Sequence, residues 1–565
     1  MYNKTMKMYT EEELNNLSRE ELIALQLNAQ EEYSTILERI ASMNANTYGR
    51  KSEKFVNPDQ MVMEGFNETE AAAEEETESS DSSEKITVQS HTRKKTAGKR
   101  DIDLSKFEVQ VVNHELPEEV LVSAFGKDGW SKLPDQIYKK LEVHPAKYEV
   151  MEHHIFVYKG SNGKILKADH PAEVLNNSIA TPSLVASVMN AKYTNALPLY
   201  RIEQEFERNE INISRQVMAN WMIKCTERYF SMVYDRLHGE MIKTNSVLQA
   251  DETTVIVSKS GKPTGSKSQI WLYRTGEYNT ERPIILYDYK GGRSADNPLA
   301  FLQGFKGVLE CDAYGGYGKV EKVAEDITVA CCWAHLRRRF SDAVKAYGVS
   351  KPGVEKTLAG QALAKIGKIY NLDEGYKKLS PEERLKRRQS TVKPKVDEYF
   401  AWVKEHQDDT GSKDKTAEGF RYSISHEVQL RRFLENGLIP IDNSASERSI
   451  RPVTVGRKNW VMIDTVNGAT ASATIYSIVE TAKANDLKPF EYMKHLLTEI
   501  PKHMDDTDFS FLEDLLPWSE NLRMSVKCHG KRKVKINDSS LVALATSFFL
   551  WQHLWFTAYL GKDGG

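Results

Sequence analysis

The sequence predicts a mixed α/β core that is preceded by helices, carries a long helical insertion, and follows a coiled coil near the start of the chain. Five apolar, β-branched runs succeed one another between 246 and 335, helical spacing dominates 181–235, and apolar residues recur every seven positions within 18–45. A chain of 565 residues, 40% hydrophobic and 28% charged, has the length and composition of several globular domains.

The charge and the cysteine content indicate which binding partners and which cellular compartment to expect. The formal net charge of −3 argues against a uniformly basic surface, so a nucleic acid would have to be bound by local patches. The five cysteines lack the spacing of a disulfide framework, and the N-terminus has no signal-peptide core, which favours the cytoplasm. The apolar stretch 541–560 has the length of a membrane span but contains Gln552 and His553, so a packed tail is favoured and no membrane partner is expected.

Residues 15–55 are predicted to form a coiled-coil helix. Ser18 and Glu21 fit a capping box at its start, and apolar residues at 22, 29, 36 and 43 are seven apart. A lone amphipathic helix is the alternative, whereas a coil would favour a homo-oligomer. The stretch 56–100 is first acidic and then basic, and is predicted to be a disordered linker whose basic end either contacts phosphates or lies in solvent.

Residues 181–245 are predicted to be helical. A short turn at 209–213 separates two helices, and Ser214 would cap the second of them. This spacing is that of a helix-turn-helix, from which Arg215, Gln216 and Asn220 would project toward DNA. An ordinary helical hairpin is the alternative.

Five strands and one intervening helix are predicted for the core. The strands are "VLQADETTVIV", "SQIWLYRTG", "RPIILYDYK", "GVLECDAYG" and "ITVACCWAH", and the helix "ADNPLAFLQGF" lies between the third and the fourth. A charged helical insertion follows at about 348–430, and the core is predicted to end near 480.

Two of these strands carry acids in unusual places. Asp251 and Glu252 are adjacent in the middle of an apolar strand, so their side chains are expected on opposite faces, with Glu252 taking no part in a site built around Asp251. Asp312 stands where another strand gives way to a glycine-rich turn. Its ordinary role there would be to bond its own backbone.

A third acid, Glu447, is predicted to lie on a helix. Two ordinary roles compete for it: a capping box with Ser444, or an ion pair with Arg451. If the strands of Asp251 and Asp312 are neighbours and this helix crosses them, the three carboxylates converge. Such hard oxygen ligands suit Mg²⁺ or Mn²⁺, and a pair of these ions suits phosphodiester cleavage.

Eight motifs identify a family. In order they are "YGRKSEK", "KYTNALPLYRIEQEFERNEINISRQVMANW", "LQADETTV", "LECDAYGGY", "CCWAHLRRRF", "DNSASERSIRPVTVGRKNW", "SIVETAKANDLKPFEYMKHLL" and "DLLPWS". On these motifs the chain resembles the insertion sequence 66 (IS66) family of bacterial transposases, transposase C type, over nearly all of 15–520. The resemblance implies a DDE recombinase with an RNase H-like core, whose catalytic, metal-binding acids fall on Asp251, Asp312 and Glu447.

The resemblance also implies an activity and its partners. Double-stranded DNA would be cleaved at the ends of the element, first by water, and the resulting 3′-hydroxyl would then attack target DNA, with two Mg²⁺ or Mn²⁺ ions as cofactors. Small proteins encoded by the same element are further expected partners. The protein would act in the bacterial cytoplasm, associated with the nucleoid.

One module of the family is altered in this chain. The range 101–180 corresponds to a zinc-ribbon-like module but contains no cysteine, so a zinc-free version is predicted. The core is predicted to span 246–480 and to be followed by a helical element at 481–520 that ends in "LLPW". The tail 521–565 extends beyond the point where members of the family usually end.

Basic residues beside the acids are predicted to contact DNA phosphates. They are His335, Arg337, Arg338 and Arg339 in the first group, and Arg448, Arg451, Arg457 and Lys458 in the second. Solvated arginines and local salt bridges are the alternatives. A zinc site made by Cys331, Cys332 and His335 fits poorly because the cysteines are adjacent, so no zinc is expected.

Two other functions compete with transposition. An RNase H-like DNA nuclease would cleave without joining ends, so a joined product would exclude it. A non-catalytic DNA-binding protein would keep its full activity after Asp251→Asn, Asp312→Asn and Glu447→Gln substitutions.

Overall fold

The computed structural model describes residues 17–26, 118–126, 147–159, 161, 165–169, 171–263, 265–349, 353–411, 414–522 and 526–527. The coiled-coil positions after 26, the linker 56–100, most of the module 101–180 and the tail from 528 lie outside these ranges.

The chain divides into two compact units. One comprises Met1–Gln60 and Ala172–Cys528, and the other comprises Met61–Pro171 and His529–Gly565. The second unit contains helix α1 (Glu118–Phe125) and an antiparallel pair formed by β1 (Val157–Lys159) and β2 (Ile165–Lys167). Within the described residues, no helix has both the length and the apolar character needed to cross a bilayer.

A capping box starts the helix at 19–26. The Ser18 amide donates to Oε2 of Glu21 at 2.8 Å, and the Glu21 amide donates to Oγ of Ser18 at 3.3 Å. These reciprocal bonds satisfy two amides that have no partner inside the helix. The predicted cap is therefore confirmed, whereas the coiled coil stays a prediction.

Four α-helices lie between residue 181 and the sheet in the described part of the first unit. They are α2 (Pro182–Met189), α3 (Leu199–Arg208), α4 (Arg215–Cys225) and α5 (Ser231–Thr244). Between α3 and α4 the chain turns, and Oγ of Ser214 accepts a hydrogen bond from the Val217 amide at 3.3 Å. The predicted turn and its Ser214 cap are confirmed.

The central sheet combines antiparallel and parallel strands. Its elements are β3 (Val247–Lys259), β4 (Lys267–Thr275), β5 (Ile285–Lys290), α6 (Asp296–Phe301), β6 (Gly307–Cys311), α7 (Gly315–Val323) and β7 (Ile327–Cys331). The strand order is β5-β4-β3-β6-β7, antiparallel from β5 to β3 and parallel from β3 to β7. A short strand β8 (Ile463–Thr465) pairs in parallel with the end of β3.

The helix α7 corrects the prediction of a single intervening helix. Its glycine-rich start, "GGYG", predicted a turn because glycine is a poor helix former. The helix forms because Tyr317 and Val320 are buried against the sheet at 1% and 0% exposure, and tertiary packing outweighs the local propensity.

Helix α15 (Val466–Ala484) covers the edge strand β5. Oγ of Ser477 accepts from the Tyr287 amide at 2.8 Å, and Oγ1 of Thr481 accepts from the Ile285 amide at 3.0 Å. Backbone groups at a sheet edge would otherwise be open to pairing with another chain. The small and hydroxylated residues of α15 therefore close this edge.

A largely helical segment joins β7 to the last third of the chain. The remaining helices are α8 (Trp333–Tyr347), α9 (Leu358–Glu374), α10 (Pro381–Arg387), α11 (Lys393–His406), α12 (Lys415–Ser425), α13 (Glu427–Arg431), α14 (Ser444–Trp460), α16 (Pro489–Glu499) and α17 (Leu512–Leu515). Trp333 is fully buried beside Tyr399, Phe400 and Phe433, and its indole donates to the Leu430 carbonyl at 2.7 Å. These residues belong to a second cluster of buried apolar side chains. Because Trp333 begins α8 just after β7, it connects this cluster to the sheet.

An ion pair lies inside the helical segment. Arg388 and Asp373 are 0% and 1% exposed, and Nε of Arg388 is 2.6 Å from Oδ1 of Asp373. The same guanidinium donates to the carbonyls of Phe433 and Ile439 at 2.8 and 2.7 Å. These bonds fix the loop through which the chain returns from the helical segment to α14.

Candidate active site

The parallel pairing of β3 and β6 determines where two of the predicted acids lie. Val247 is opposite Val308 and Gln249 is opposite Glu310, so the same register continued by two residues sets Asp251 alongside Asp312. Alternate residues of a strand share a face, which places both acids on one side of the sheet. The two strands are neighbours, as the convergence of the acids requires.

Helix α14 brings the third acid to the same place. It packs across β3, and the residue before it, Asn443, is bonded to the core in two ways. The Asn443 side chain donates to the Ala250 carbonyl at 2.7 Å, and its amide donates to Sγ of Cys332 at 3.1 Å. Because Ala250 directly precedes Asp251, these bonds hold the first turn of α14, with Glu447, beside that acid.

The predicted capping box of Ser444 and Glu447 is wrong. Asn443 is the N-cap, and Ser444 is already the first residue of the helix. The Glu447 carboxylate accepts instead from Nη2 of Arg338 at 3.3 Å, and it lies 3.8 Å from Nε2 of His335. Its side chain therefore points across to α8 rather than back to its own helix terminus.

The three carboxylates act on one another electrostatically. Burial raises the pKa of Asp251 well above its usual value, and the charges of Glu252, Glu447 and Asp312 raise it further. The Glu252 amide, which donates to Oδ1 of Asp251 at 2.8 Å, opposes this shift. All three acids remain partly exposed, so a ligand can reach them. Such a cluster would be stabilised by a cation.

Each acid nevertheless has a partner of its own in this structure. Oδ1 of Asp312 accepts from the Tyr314 amide at 2.9 Å, which is the turn bond expected from its sequence position. In the part of the chain that the structure describes, no group of three His, Cys, Asp or Glu side chains is arranged to hold a metal ion. Metal binding would therefore require these carboxylates to reorient, Glu447 away from Arg338 in particular.

Glu252 lies in a network next to the acids. Its side chain is only 4% exposed, and it accepts from Nε of Arg293 at 2.7 Å and from the Tyr317 hydroxyl at 2.7 Å. Burial and the charge of Asp312 raise the pKa of Glu252. Arg293 lies over the Tyr314 ring at 3.7 Å. The prediction treated Glu252 as a bystander, whereas it fixes Arg293 beside the Asp312 turn.

The basic residues of α8 lie in its first two turns. His335, Arg337, Arg338 and Arg339 are all partly exposed there. Burial and the charge of Arg338 lower the pKa of His335, which favours its neutral form. Of the first predicted group, His335 and Arg338 thus lie beside Glu447.

The basic residues of α14 are distributed differently. Arg448 forms an ion pair with Glu277 at 3.0 Å, and Arg457 donates to the hydroxyls of Thr253 and Thr254 on β3 at 3.2 and 3.0 Å. The local salt bridge considered as the alternative is therefore present for Arg448, whereas the partners of Arg457 are uncharged. Arg451 is partly exposed, and Lys458 is exposed.

Helix α4 presents the remaining predicted residues. Arg215, Gln216 and Asn220 are all exposed on it. The Arg215 amide donates to Oε1 of Glu203 on α3 at 3.0 Å, which fixes the start of α4 against the preceding helix. The three side chains are thus available to a ligand on a rigid helical pair.

Substituting Asn443 tests how α14 is positioned. Asn443→Ala is expected to lower the free energy of unfolding by about 1–3 kcal/mol, because it leaves the buried Ala250 carbonyl unsatisfied. Urea denaturation measures the change. The control is Asn459→Ala, which removes a bond of the same length, 2.7 Å to the Ala196 carbonyl, at the exposed end of the same helix. Equal losses in both variants would contradict the anchoring role.

Comparison with known proteins assigns the chain to a family. The family model described as "Transposase IS66 family" matches residues 177–471, more than half of the chain. The chain belongs to the IS66 transposase family. Two further models match, "IS66 C-terminal element" over 477–518 and "Transposase C of IS166 homeodomain" over 36–108, and the latter range lies outside the described residues.

Relatives of this IS66 family member occur in Sinorhizobium fredii. "Uncharacterized protein y4qI" is 31% identical over 393 residues, which cover 67% of this chain and 70% of the relative. "Uncharacterized protein y4hP" is 25% identical over 495 residues, which cover 85% and 87%. The residue range matched by the IS66 family model contains the positions of Asp251, Asp312 and Glu447.

Proposed function

We propose that this IS66 family member is a DDE transposase that cleaves DNA at the ends of its element and joins those ends to target DNA. One observation carries the proposal. Asp251 lies on β3, Asp312 directly follows the neighbouring parallel strand β6, and Asn443 holds the turn of α14 that carries Glu447 beside them. The sheet order supports an RNase H-like core, and the segment from α9 to α13 would be the helical insertion of that core.

The donor chemistry fits a hard divalent cation. Asp251, Asp312 and Glu447 offer only carboxylate oxygens, the ligands that Mg²⁺ and Mn²⁺ prefer, and their mutual repulsion would be relieved by positive charge. Two bound ions would supply activation of the attacking oxygen and stabilisation of the leaving oxygen. The three side chains would hold those ions once Glu447 exchanges Arg338 for a metal.

The basic residues would position the DNA. Arg337, Arg338 and Arg339, with His335, would contact phosphates near the cleaved bond, and Arg448, Arg451, Arg457 and Lys458 would extend this surface along α14. Helix α4 would enter a groove of the duplex through Arg215, Gln216 and Asn220. In the first step water breaks a phosphodiester and frees a 3′-hydroxyl, which then attacks a phosphodiester of the target and releases its 3′-oxygen.

A strand-transfer assay tests the proposed function. The full-length chain is incubated with a labelled duplex that carries an element end, a target plasmid, and Mg²⁺ or Mn²⁺. We expect a cleaved strand ending in a 3′-hydroxyl and a product joined to the plasmid, both abolished by EDTA. Cleavage without any joined product would favour a nuclease. DNA binding with no metal-dependent product would overturn the catalytic proposal.

Substitutions on α4 test the DNA-binding helices. Arg215→Ala is expected to weaken binding to an element end by roughly tenfold, because a good base contact contributes about 1–3 kcal/mol of discrimination. Binding to unrelated duplex should fall less. Fluorescence anisotropy with both duplexes measures the difference, and Lys243→Ala removes an exposed charge from α5 as the control. An equal effect of both substitutions would favour an ordinary helical hairpin.

A further inference from the structure

A cavity of about 220 Å³ lies between α8 and α12, hereafter the α8–α12 cavity. Its lining consists of His335, Arg338, Arg339 and Asp342 from α8 and Lys415 and Glu418 from α12. Packing fixes its walls. A Cβ on Gly419 would lie 2.5 Å from the Phe340 ring, so only glycine lets the two helices approach this closely. The rings of Phe340 and Phe420 then meet edge to face at 5.7 Å.

Positive charge dominates the inner part of the α8–α12 cavity. Arg338, Arg339 and Lys415 are partly buried, whereas Glu418 is exposed. The Asp342 side chain is 48% exposed and lies 3.7 Å from Nζ of Lys345. The two acids therefore lie toward solvent, where water and a neighbouring lysine screen them. An anion inside the cavity would meet three cationic side chains.

Two buried nitrogen atoms of the lining lack hydrogen-bond partners among the described residues. They are Nε of Arg339 and Nδ1 of His335. The Arg339 guanidinium lies over the Tyr422 ring at 4.5 Å, which fixes its plane. Buried polar nitrogen atoms are almost always paired in folded proteins. Both nitrogen atoms are buried in the present side-chain positions, so an oxygen acceptor in the cavity would pair with them only after the two side chains shift toward it.

The α8–α12 cavity adjoins the candidate active site. Arg338, which lines the cavity, also donates to Glu447 at 3.3 Å, and His335 lies 3.8 Å from the same carboxylate. A group bound in the cavity would therefore lie next to the third acid. The volume accommodates a phosphate group together with several water molecules.

We propose that the α8–α12 cavity binds one backbone phosphate of the DNA strand, adjacent to the phosphodiester that is cleaved, with Arg339 and Lys415 as its principal contacts. This inference rests on the proposed DNA-cleaving function and extends it to α12, where no DNA contact was predicted from the sequence. The helical segment would thereby complete the DNA-binding surface of the core rather than only support it.

DNA binding without cleavage tests the α8–α12 cavity. The full-length chain carrying Asp312→Asn, so that DNA stays intact, is compared with the same chain that also carries Lys415→Gln. Lys378→Gln is the matched control, because Lys378 is an exposed lysine of the same helical segment. Affinity is measured as a function of salt for an element end and for unrelated duplex, and ethylation interference maps the phosphates required for binding.

The cavity predicts a specific set of changes. Lys415→Gln should weaken binding to both duplexes by about tenfold, and should reduce the slope of log affinity against log salt by about 0.9, the value for one phosphate contact. Interference at one phosphate near the cleavage site should disappear. Arg339→Gln should act in the same way, and Lys378→Gln should change nothing.

The outcomes separate the cavity from the proposed function. If both Lys415→Gln and Arg339→Gln leave the affinity, the salt slope and the interference pattern unchanged, phosphate binding in the α8–α12 cavity is contradicted. This holds even if the wild-type chain cleaves and joins DNA. A wild-type chain that forms no joined product would overturn transposition. In that case the loss of one phosphate contact in the Lys415→Gln variant would still support the cavity as a DNA-binding site.

Discussion

Replacing Asp251 or Asp312 by asparagine is expected to lower the rate of DNA cleavage by about 10³-fold or more, because the loss of one metal ligand removes several kcal/mol of transition-state stabilisation. DNA binding should change little. Single-turnover cleavage of an element end with saturating Mg²⁺ measures the rate, and electrophoretic mobility measures binding. Asparagine keeps the shape of each side chain, including an oxygen that can accept the 2.8 Å bond from the Glu252 amide at position 251.

The same substitution has an opposite effect on the metal-free fold. Folding raises the pKa of Asp251, so the stability linked to its protonation is lost as the pH rises through the folded-state pKa. Asp251→Asn should therefore raise the melting temperature in EDTA at pH 8, and Mg²⁺ should stabilise the wild-type chain but not the variant. Asp505→Asn, at an exposed position, serves as the control. A lower melting temperature together with unimpaired cleavage would contradict the assignment of Asp251.

Substitution of Arg388 by methionine is expected to lower the free energy of unfolding by about 3–5 kcal/mol. The change leaves the charge of Asp373 buried without its partner, and a broken buried ion pair typically costs this much. It also removes the donors to the Phe433 and Ile439 carbonyls, which hold the loop leading to α14. Urea denaturation followed by circular dichroism measures the loss.

The neighbouring Arg387 provides the matched control for that experiment. It is exposed, so Arg387→Met should change the unfolding free energy by less than about 0.5 kcal/mol. The double variant Arg388→Met with Asp373→Asn should recover part of the loss, because no unpaired charge remains buried. Equal stability of Arg388→Met and Arg387→Met would show that the ion pair does not support the helical segment.

Local sequence patterns predicted the strands and the placement of two acids well. The β-branched runs that contain Asp251 and precede Asp312 form β3 and β6, as predicted. The N-cap role of Ser214 was also predictable, since its hydroxyl accepts a hydrogen bond from an amide only three residues ahead. These features depend on neighbours in the chain.

The features that sequence analysis missed depend on distant contacts. Asn443 rather than Ser444 is the N-cap of α14 because its side chain reaches the Ala250 carbonyl, 193 residues earlier in the chain. Arg293 is a single arginine in a glycine-rich loop, and its bond to Glu252 leaves no pattern in the sequence. Strand β8 is three residues long and pairs with the end of β3, so it is too short to show the alternating apolar pattern of a strand.

Crystals of the chain grown with Mn²⁺ and element-end DNA test the central claim most directly, because the anomalous signal locates the metal. We expect Mn²⁺ bound by carboxylate oxygens of Asp251, Asp312 and Glu447 at distances of about 2.0–2.2 Å, with Arg338 no longer paired to Glu447. Mn²⁺ bound elsewhere on the protein, with these three carboxylates still on their present partners beside the DNA, would contradict it.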